Sequence, residues 1–166
     1  MDQLTQLASR LGEQLQTVKA QVSTAESCTG GGIAEAITRV AGSSGWFEAG
    51  FVTYSNRQKT QQLAVPAELF EQVGAVSAEV VSAMARGAQA ASGARFSVAV
   101  SGVAGPAGGS AEKPVGTVWL AWADDAQLYC QCRWFAGDRH AVRAQTVLAA
   151  LQGLIRLTVG EKPQEG

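Results

Sequence analysis

The 166-residue sequence predicts an α/β fold, a single three-layer α/β/α domain with a mixed sheet of about five strands. Helical and strand patterns alternate early in the chain, which implies crossover connections between parallel strands, whereas two late strand patterns are joined by a short turn, which implies an antiparallel hairpin. The composition, 46% hydrophobic and 16% charged, suits a packed core. We assign residues 1–160 to this domain and expect residues 161–166 to form a frayed tail.

The first half of the chain predicts alternating helices and strands. Apolar residues recur every three or four positions from Leu4 to Val18, which is typical of an amphipathic helix, here over residues 2–20. The next stretches are, in order, a short strand (22–25), a helix (31–39), a loop (42–45) and an aromatic, β-branched strand (46–55) that ends near Tyr54.

Helical patterns then follow without an intervening strand. Ser55 or Asn56 can cap a short helix that stops before Pro66, and a further helical turn ends at Gly74. Ser77 begins a longer helix with an incomplete capping box, because valine stands where glutamate is usual three residues later.

The second half predicts three strands and one long helix. The strands are residues 95–102, 115–123 and 127–135, and the last two are joined by a turn at Asp124-Asp125. Asp138 caps a final helix that runs to about Thr158. The predicted order is therefore α-β-α-β-α-α-β-β-β-α.

The charge and residue patterns exclude several classes of function. A net charge of −1 and a pI near 5.8 predict no binding to nucleic acid or to a membrane surface. No apolar run approaches the roughly 18 residues of a membrane span, and the polar N-terminal stretch is not typical of a signal peptide. Three cysteines, an odd number, favour a reduced cytoplasm, and the hydrophobic content favours a homo-oligomer, with a dimer as its simplest form.

Polar clusters follow three of the predicted strands. In α/β sheets ligands bind beyond the carboxyl ends of the strands, so these clusters predict a binding site. The clusters are Glu26-Ser27-Cys28-Thr29-Gly30-Gly31, then Tyr54-Ser55-Asn56 with Lys59, and then Ser101-Gly102 with Gly105-Pro106 and Gly108-Gly109.

Ser27 stands just before a predicted helix, where free backbone N–H groups favour negative charge. Such a place can hold a phosphate or the oxyanion of an acyl-transfer intermediate. The alternative is structural: Ser27 or Thr29 caps the helix and the glycines permit a tight turn. Cys28 is the alternative nucleophile, but adjacent residues on a turn point different ways, so only one of the two can face a ligand.

A nucleophilic serine needs a base. His140 is the single histidine of the chain, but it is remote in sequence and has the features of a surface residue. Lys59, one turn into the helix after the second strand, is better placed and can act as a base if its pKa is lowered. The alternative for Lys59 is a solvated helix position.

Other patterns allow weaker interpretations. Ser110 and Lys113 match the S-x-x-K spacing of β-lactamases, but flanking glycines and a proline disfavour the helix that this spacing requires. Cys130 and Cys132 share a strand face and fit packing better than metal binding. Arg139 and Arg143 lie four residues apart, a spacing that suits either a phosphate or an exposed charged face.

Six ordered motifs, AESCTGG, TYSNRQK, GAVS, VSGVAGPAGG, KPVGTVWLA and GDR-x-x-x-R, resemble the CinA C-terminal domain family over about residues 3–158. The resemblance implies hydrolysis of nicotinamide mononucleotide, a small-molecule nucleotide, to nicotinate mononucleotide and ammonia in pyridine nucleotide recycling. It implies that Ser27 is the nucleophile, Lys59 the base and Tyr54 an assisting hydroxyl, with no cofactor and no metal. Cys28 occupies a position that is not catalytic in the family.

The remaining candidate residues are expected to bind substrate, and two other functions stay open. These candidates are Glu26, Thr29, Gly30, Gly31, Asn56, Ser101, Gly102, Gly105, Gly108, Gly109, Arg139 and Arg143. The chain could instead be a non-catalytic nucleotide-binding or regulatory module, or an amidase that acts on a different carboxamide.

Overall fold

A five-stranded sheet lies between two layers of helices in the computed structural model, which describes residues 1–164. The strands are β1 (Val22–Glu26), β2 (Phe47–Val52), β3 (Phe96–Gly102), β4 (Thr117–Ala123) and β5 (Leu128–Trp134). Their spatial order is β2-β1-β3-β4-β5, in which β1 pairs in parallel with β2 and β3, and β3-β4 and β4-β5 are antiparallel. The predicted fold class is therefore confirmed.

The helices divide between the two faces of the sheet. They are α1 (Gln3–Thr17), α2 (Gly32–Thr38), α3 (Asn56–Leu63), α4 (Glu68–Gln72), α5 (Ala78–Ser92) and α6 (Arg139–Thr158). Helices α1, α2 and α6 pack together on one face, and α3 and α4 pack on α5 at the other. Each face has its own hydrophobic core, one around Leu11, Ile33 and Leu154 and the other around Val81 and Met84.

Three helix starts follow from predicted caps. The side chains of Ser55, Ser77 and Asp138 accept hydrogen bonds from the backbone N–H of Gln58, Val80 and Ala141, as N-cap residues do. Ser55, rather than Asn56, is therefore the cap of α3.

Two boundaries differ from the prediction. The segment between β2 and β3 holds three helices rather than two, because the turn at Glu68–Gln72 forms a short helix of its own. Strand β2 ends at Val52 rather than near Tyr54, because the chain turns into α3 at the Ser55 cap, directly after Thr53 N–H bonds the carbonyl of Glu26 (2.9 Å). This early end carries the backbone of Tyr54 toward the carboxyl end of β1.

The C-terminal segment packs against the domain in its described part. Arg156 Nε donates to the carbonyl of Lys162 (3.0 Å), and Gln131 Nε2 donates to that of Gln164 (3.3 Å). Residues 161–164, which we expected to fray, thus turn back toward α6 and β5. Residues 165 and 166, the end of the predicted tail, lie outside the described residues. None of the helices within residues 1–164 has the length and apolar character needed to cross a membrane.

Candidate active site

A buried serine–lysine pair joins the ends of two parallel strands. Lys59 Nζ lies 2.9 Å from Ser27 Oγ, and both residues are buried, Lys59 with 1% of its surface exposed. Ser27 follows β1 directly, whereas Lys59 comes from α3 after β2. Because β1 and β2 run in parallel, their carboxyl ends meet at one edge of the sheet, which places the two side chains together.

The surroundings of Lys59 favour its neutral form. Its Nζ also donates to the carbonyl of Tyr54 (2.9 Å), and no carboxylate of residues 1–164 forms an ion pair with it. Burial lowers the pKa of Lys59 from 10.5 to about 8, because a charged amine loses hydration there. A lysine with such a pKa can accept a proton near neutral pH.

Cys28 lacks the properties of a nucleophile. Its side chain packs in the core of the α1–α2–α6 face and is 6% exposed. Burial raises the pKa of the Cys28 thiol to about 11, so the reactive thiolate is scarce at neutral pH. Ser27, which bonds to Lys59, is therefore the better nucleophile of the two.

The carboxylate of Glu26, a predicted substrate contact, is buried in the turn between β1 and α2. Its carboxylate is 0% exposed and accepts hydrogen bonds from Thr29 Oγ1 (2.5 Å), Ile33 N (2.8 Å) and Ala34 N (3.0 Å). It thereby supplies the helix cap that Gly31, at φ 105°, has no side chain to provide. The first amides of α2 are consequently occupied and do not face a ligand.

Replacing Glu26 by glutamine is expected to lower the free energy of unfolding by about 2 kcal/mol, because an amide NH₂ would face backbone N–H donors in a buried place. Urea unfolding measures the change. Glu35→Gln, on the same helix, is the matched control: its carboxylate is 60% exposed and pairs with Arg39, so less than about 1 kcal/mol is expected. An equally small decrease in the free energy of unfolding in both variants would contradict the capping role given to Glu26.

A cavity of about 320 Å³ opens in front of the pair. Predicted site residues that line it are Ser27, Tyr54, Asn56, Lys59, Ser101, Gly102, Gly105, Gly108, Gly109 and Arg139. The cluster that begins at Ser101-Gly102 lines the same cavity because β3 lies beside β1, with Val100 paired opposite Glu26. All three polar clusters predicted from the strand ends therefore contribute to one cavity.

Arg139 holds two loops of the cavity together. Its guanidinium donates to the carbonyl of Gly105 (2.8 Å) and to the hydroxyl of Tyr54 (3.0 Å). The Tyr54 side chain is largely exposed, and its hydroxyl contacts Arg139, whereas only its backbone carbonyl contacts Lys59. The structure thus places this hydroxyl on the arginine and not on the predicted base.

A different cavity, of about 480 Å³, receives four of the predicted substrate contacts. Thr29, Gly30, Gly31 and Arg143 line it, together with His140. Arg143 Nη2 donates to the carbonyl of Thr29 (3.2 Å), so the glycine turn itself separates this arginine from Ser27. Arg139 and Arg143, both predicted to bind substrate, thus line different cavities, and His140 lines this cavity rather than that of Ser27.

Sequence reasoning missed the apolar wall of the Ser27 cavity. Ala75, Val76, Val103, Ala104 and Ala107 line it as well. Small apolar residues in loops have no local feature that marks them as site residues. Only the GAVS and VSGVAGPAGG motifs of the family resemblance overlap these positions.

The S-x-x-K pattern is not a catalytic pair. Ser110 N–H donates to the carbonyl of Lys113 (2.9 Å), and Lys113 N–H donates to Ser110 Oγ (3.1 Å), which forms a tight turn and not a helix. Lys113 Nζ donates to the carbonyl of Val73 (2.7 Å). The lysine amine is therefore directed away from the serine, as the flanking glycines and proline predicted.

Comparisons with known proteins find relatives that match nearly the whole chain. The nicotinamide-nucleotide amidohydrolase PncC of Pseudomonas putida is 73% identical over 157 residues, which cover 95% of this chain and 98% of that protein. The protein of the same name from Escherichia coli K12 is 52% identical over 153 residues, 92% of this chain and 93% of that protein. The crystal structure of the competence/damage inducible protein CihA from Agrobacterium tumefaciens superposes with a TM-score of 0.91 at 45% identity, covering 95% of this chain and 96% of that chain.

The match also holds at the level of the family. The family model described as the CinA C-terminal domain matches residues 4–158, which include all three strand-end clusters as well as Arg139 and Arg143 of α6. With this match, and with relatives above 50% identity over nearly their whole length, the chain belongs to the CinA C-terminal domain family.

Proposed function

We propose that this protein hydrolyses the carboxamide of nicotinamide mononucleotide to nicotinate mononucleotide and ammonia through a Ser27–Lys59 pair. The observation that carries the proposal is the buried 2.9 Å contact between Lys59 Nζ and Ser27 Oγ at the wall of a cavity. The names of the relatives at 73% and 52% identity, nicotinamide-nucleotide amidohydrolase, support the substrate.

Acylation begins with proton transfer to the lysine. Neutral Lys59 accepts the proton of Ser27 Oγ as the oxygen attacks the carboxamide carbon, and a tetrahedral oxyanion forms. The protonated lysine then gives this proton to the leaving nitrogen, so the C–N bond breaks and ammonia departs. The nicotinoyl group remains attached to Ser27 as an ester.

Deacylation repeats the same proton path with water. Lys59, neutral again, accepts a proton from a water molecule that attacks the ester carbonyl. The second tetrahedral intermediate collapses, and the proton passes from Lys59 to Ser27 Oγ. Nicotinate mononucleotide leaves as the carboxylic acid, which gives its proton to solvent. The pair returns to its starting state without a metal or a cofactor in either step.

The loop at residues 102–109 is one source of donors for the oxyanion, beside the amides of Cys28 and Thr29 that follow the nucleophile. Of the amides near the nucleophile, Gly30 N–H donates to the carbonyl of Ser27 (3.1 Å) and is therefore occupied. The amides of Gly105, Gly108 and Gly109, which line the cavity, have no backbone acceptor within residues 1–164. Each such donor contributes about 3 kcal/mol to transition-state binding in other hydrolases.

Arg139 is proposed to bind the phosphate of the substrate. Its side chain lines the cavity and is held there by hydrogen bonds to Gly105 and Tyr54, and a guanidinium carries further N–H donors that suit a phosphate. Phosphate and ribose would then position the carboxamide at Ser27, so free nicotinamide should be a poor substrate.

The direct test is ammonia release from nicotinamide mononucleotide by purified, EDTA-treated protein, with free nicotinamide and a panel of other amides for comparison. Release from the nucleotide alone supports the proposal. Nucleotide binding by calorimetry without ammonia would select the non-catalytic binding module, and faster release from another amide would select a different amidase.

Tyr54→Phe is expected to change kcat less than about threefold and to leave the pH profile of kcat/KM unaltered, because the hydroxyl contacts Arg139 and not Lys59. Arg139→Gln is the companion variant and should raise KM for the nucleotide at least tenfold, since one charged contact to phosphate is lost. A hundredfold fall of kcat in Tyr54→Phe would instead support the assisting-hydroxyl role that the family resemblance implies.

Cytoplasmic location and homo-oligomerisation remain proposals. Cys28, Cys130 and Cys132 are free thiols, which suits a reducing compartment. Strand β5 is a sheet edge with Trp134 62% exposed, and such an edge can pair with a second copy. Light scattering of the purified protein distinguishes a dimer from a monomer.

A further inference from the structure

A basic cavity of about 350 Å³ lies on the α1–α6 face of the sheet and shares no residue with the Ser27 cavity. Its arginines come from three elements: Arg10 from α1, Arg133 from β5 and Arg156 from α6. Arg139 and Arg156 stand near opposite ends of α6, roughly 25 Å apart along the helix axis. The basic cavity is thus remote from the proposed catalytic pair.

The lining of the basic cavity carries an excess of positive charge. Three arginines face one carboxylate, Glu161, so the lining has a charge of about +2 in a chain whose net charge is −1. Glu161 lies 3.4 Å from Arg156, which also donates to the carbonyl of Lys162 and stands in the last turn of α6. Arg156 therefore has a structural role at a helix C-terminus, where a cation is favoured.

Arg10 and Arg133 have no comparable role. Within residues 1–164, neither guanidinium has a carboxylate within 4.0 Å or a hydrogen bond, and Arg133 only stacks over the ring of Phe135 (5.1 Å). Cations that line one cavity without counterions repel one another, which costs stability unless an anion neutralises them. The ion pairs and hydrogen bonds of the fold therefore do not account for the convergence of Arg10 and Arg133 on one cavity.

We infer that the basic cavity is a second binding site, for the phosphate group of a small molecule. Guanidinium groups bind phosphate oxygens through paired N–H donors, and the excess charge of about +2 matches a phosphate dianion better than a single carboxylate. Gln131, Gln152 and Gln164 line the same cavity and add uncharged amide groups for the remainder of the ligand. The volume is within the range of small-molecule sites.

Calorimetric titration with inorganic pyrophosphate tests the inference, in an Arg139→Gln background so that the Ser27 cavity contributes little. We expect saturable binding that weakens at least tenfold when Arg10→Gln and Arg133→Gln are added. Arg57→Gln, which removes an exposed arginine of α3 instead, is the matched control and should leave the affinity within twofold.

A thermal shift gives a second readout on the same proteins. Because a ligand stabilises the state it binds, pyrophosphate should raise Tm of the Arg139→Gln protein and of the Arg57→Gln control but not of the Arg10→Gln, Arg133→Gln variant. If pyrophosphate does not bind the Arg139→Gln protein, or binds it equally well after Arg10→Gln and Arg133→Gln are added, the proposed site is wrong. Acetate binding of similar strength and arginine dependence would overturn the assignment to phosphate.

Discussion

Ser27→Ala is expected to lower kcat for nicotinamide mononucleotide by about 10³-fold or more, while the substrate still binds. The variant removes the oxygen proposed to form the acyl-enzyme but leaves in place the 102–109 loop and Arg139, which are proposed to hold the nucleotide. Ammonia release measures kcat, and calorimetry with the inactive variant measures binding.

Cys28→Ala is the matched control for this experiment. Cys28 is the neighbouring residue and lines the same cavity, but its thiol is buried and its pKa is raised to about 11, so we expect kcat within about fivefold of the wild type. An inactive Cys28→Ala beside an active Ser27→Ala would reverse the assignment of the nucleophile.

Lys59→Met is expected to abolish turnover, because methionine has similar length but no amine to accept the serine proton. In the wild type, kcat/KM should rise with pH until about pH 8 and then level off, since only neutral Lys59 acts as the base. Lys59→Arg keeps the charge but cannot deprotonate, so it should be inactive as well. Lys113→Met, whose amine bonds the carbonyl of Val73 outside the cavity, is the control that should retain activity.

The same lysine predicts a pH dependence of stability. The pKa of Lys59 is lower in the folded state (about 8) than in the unfolded chain (10.5), so the unfolded state binds more protons between these values. The free energy of unfolding of the wild type should therefore increase across that pH window, by about 3 kcal/mol relative to Lys59→Met. Urea unfolding from pH 7 to 10.5 measures this difference, and parallel curves for the two proteins would show that Lys59 is not desolvated.

The fold class could be predicted because its signals are local. Strand and helix periodicity along the chain, and the short turn at Asp124-Asp125, indicate alternating elements and a late hairpin whatever their final packing. The places of the polar clusters were predictable for the same reason, since each begins where a strand pattern ends. Ser27 and Lys59, 32 positions apart, were candidates only because both follow such strands.

The directions of the side chains could not be predicted, because they depend on the path of the backbone after each strand. Glu26 and Ser27 are adjacent, yet one carboxylate turns into α2 and the neighbouring hydroxyl faces the cavity. The pairing of β2 with β1 extends to the hydrogen bond from Thr53 N–H to the carbonyl of Glu26, and the carbonyl of the next residue, Tyr54, accepts from Lys59. Such long-range contacts leave no periodic pattern in the sequence.

The sequence by itself determined the α/β architecture, the strand-end clusters and the motifs shared with the CinA C-terminal domain family. The tertiary structure decided which members of those clusters meet. It buried Lys59 beside Ser27 and placed Arg139 and Arg143 in the linings of different cavities. It also brought three arginines from separate elements together in the lining of the basic cavity. The physical reason is that periodicity and turn propensity act over a few residues. Burial, charge and cavity shape instead arise only when distant segments pack against one another.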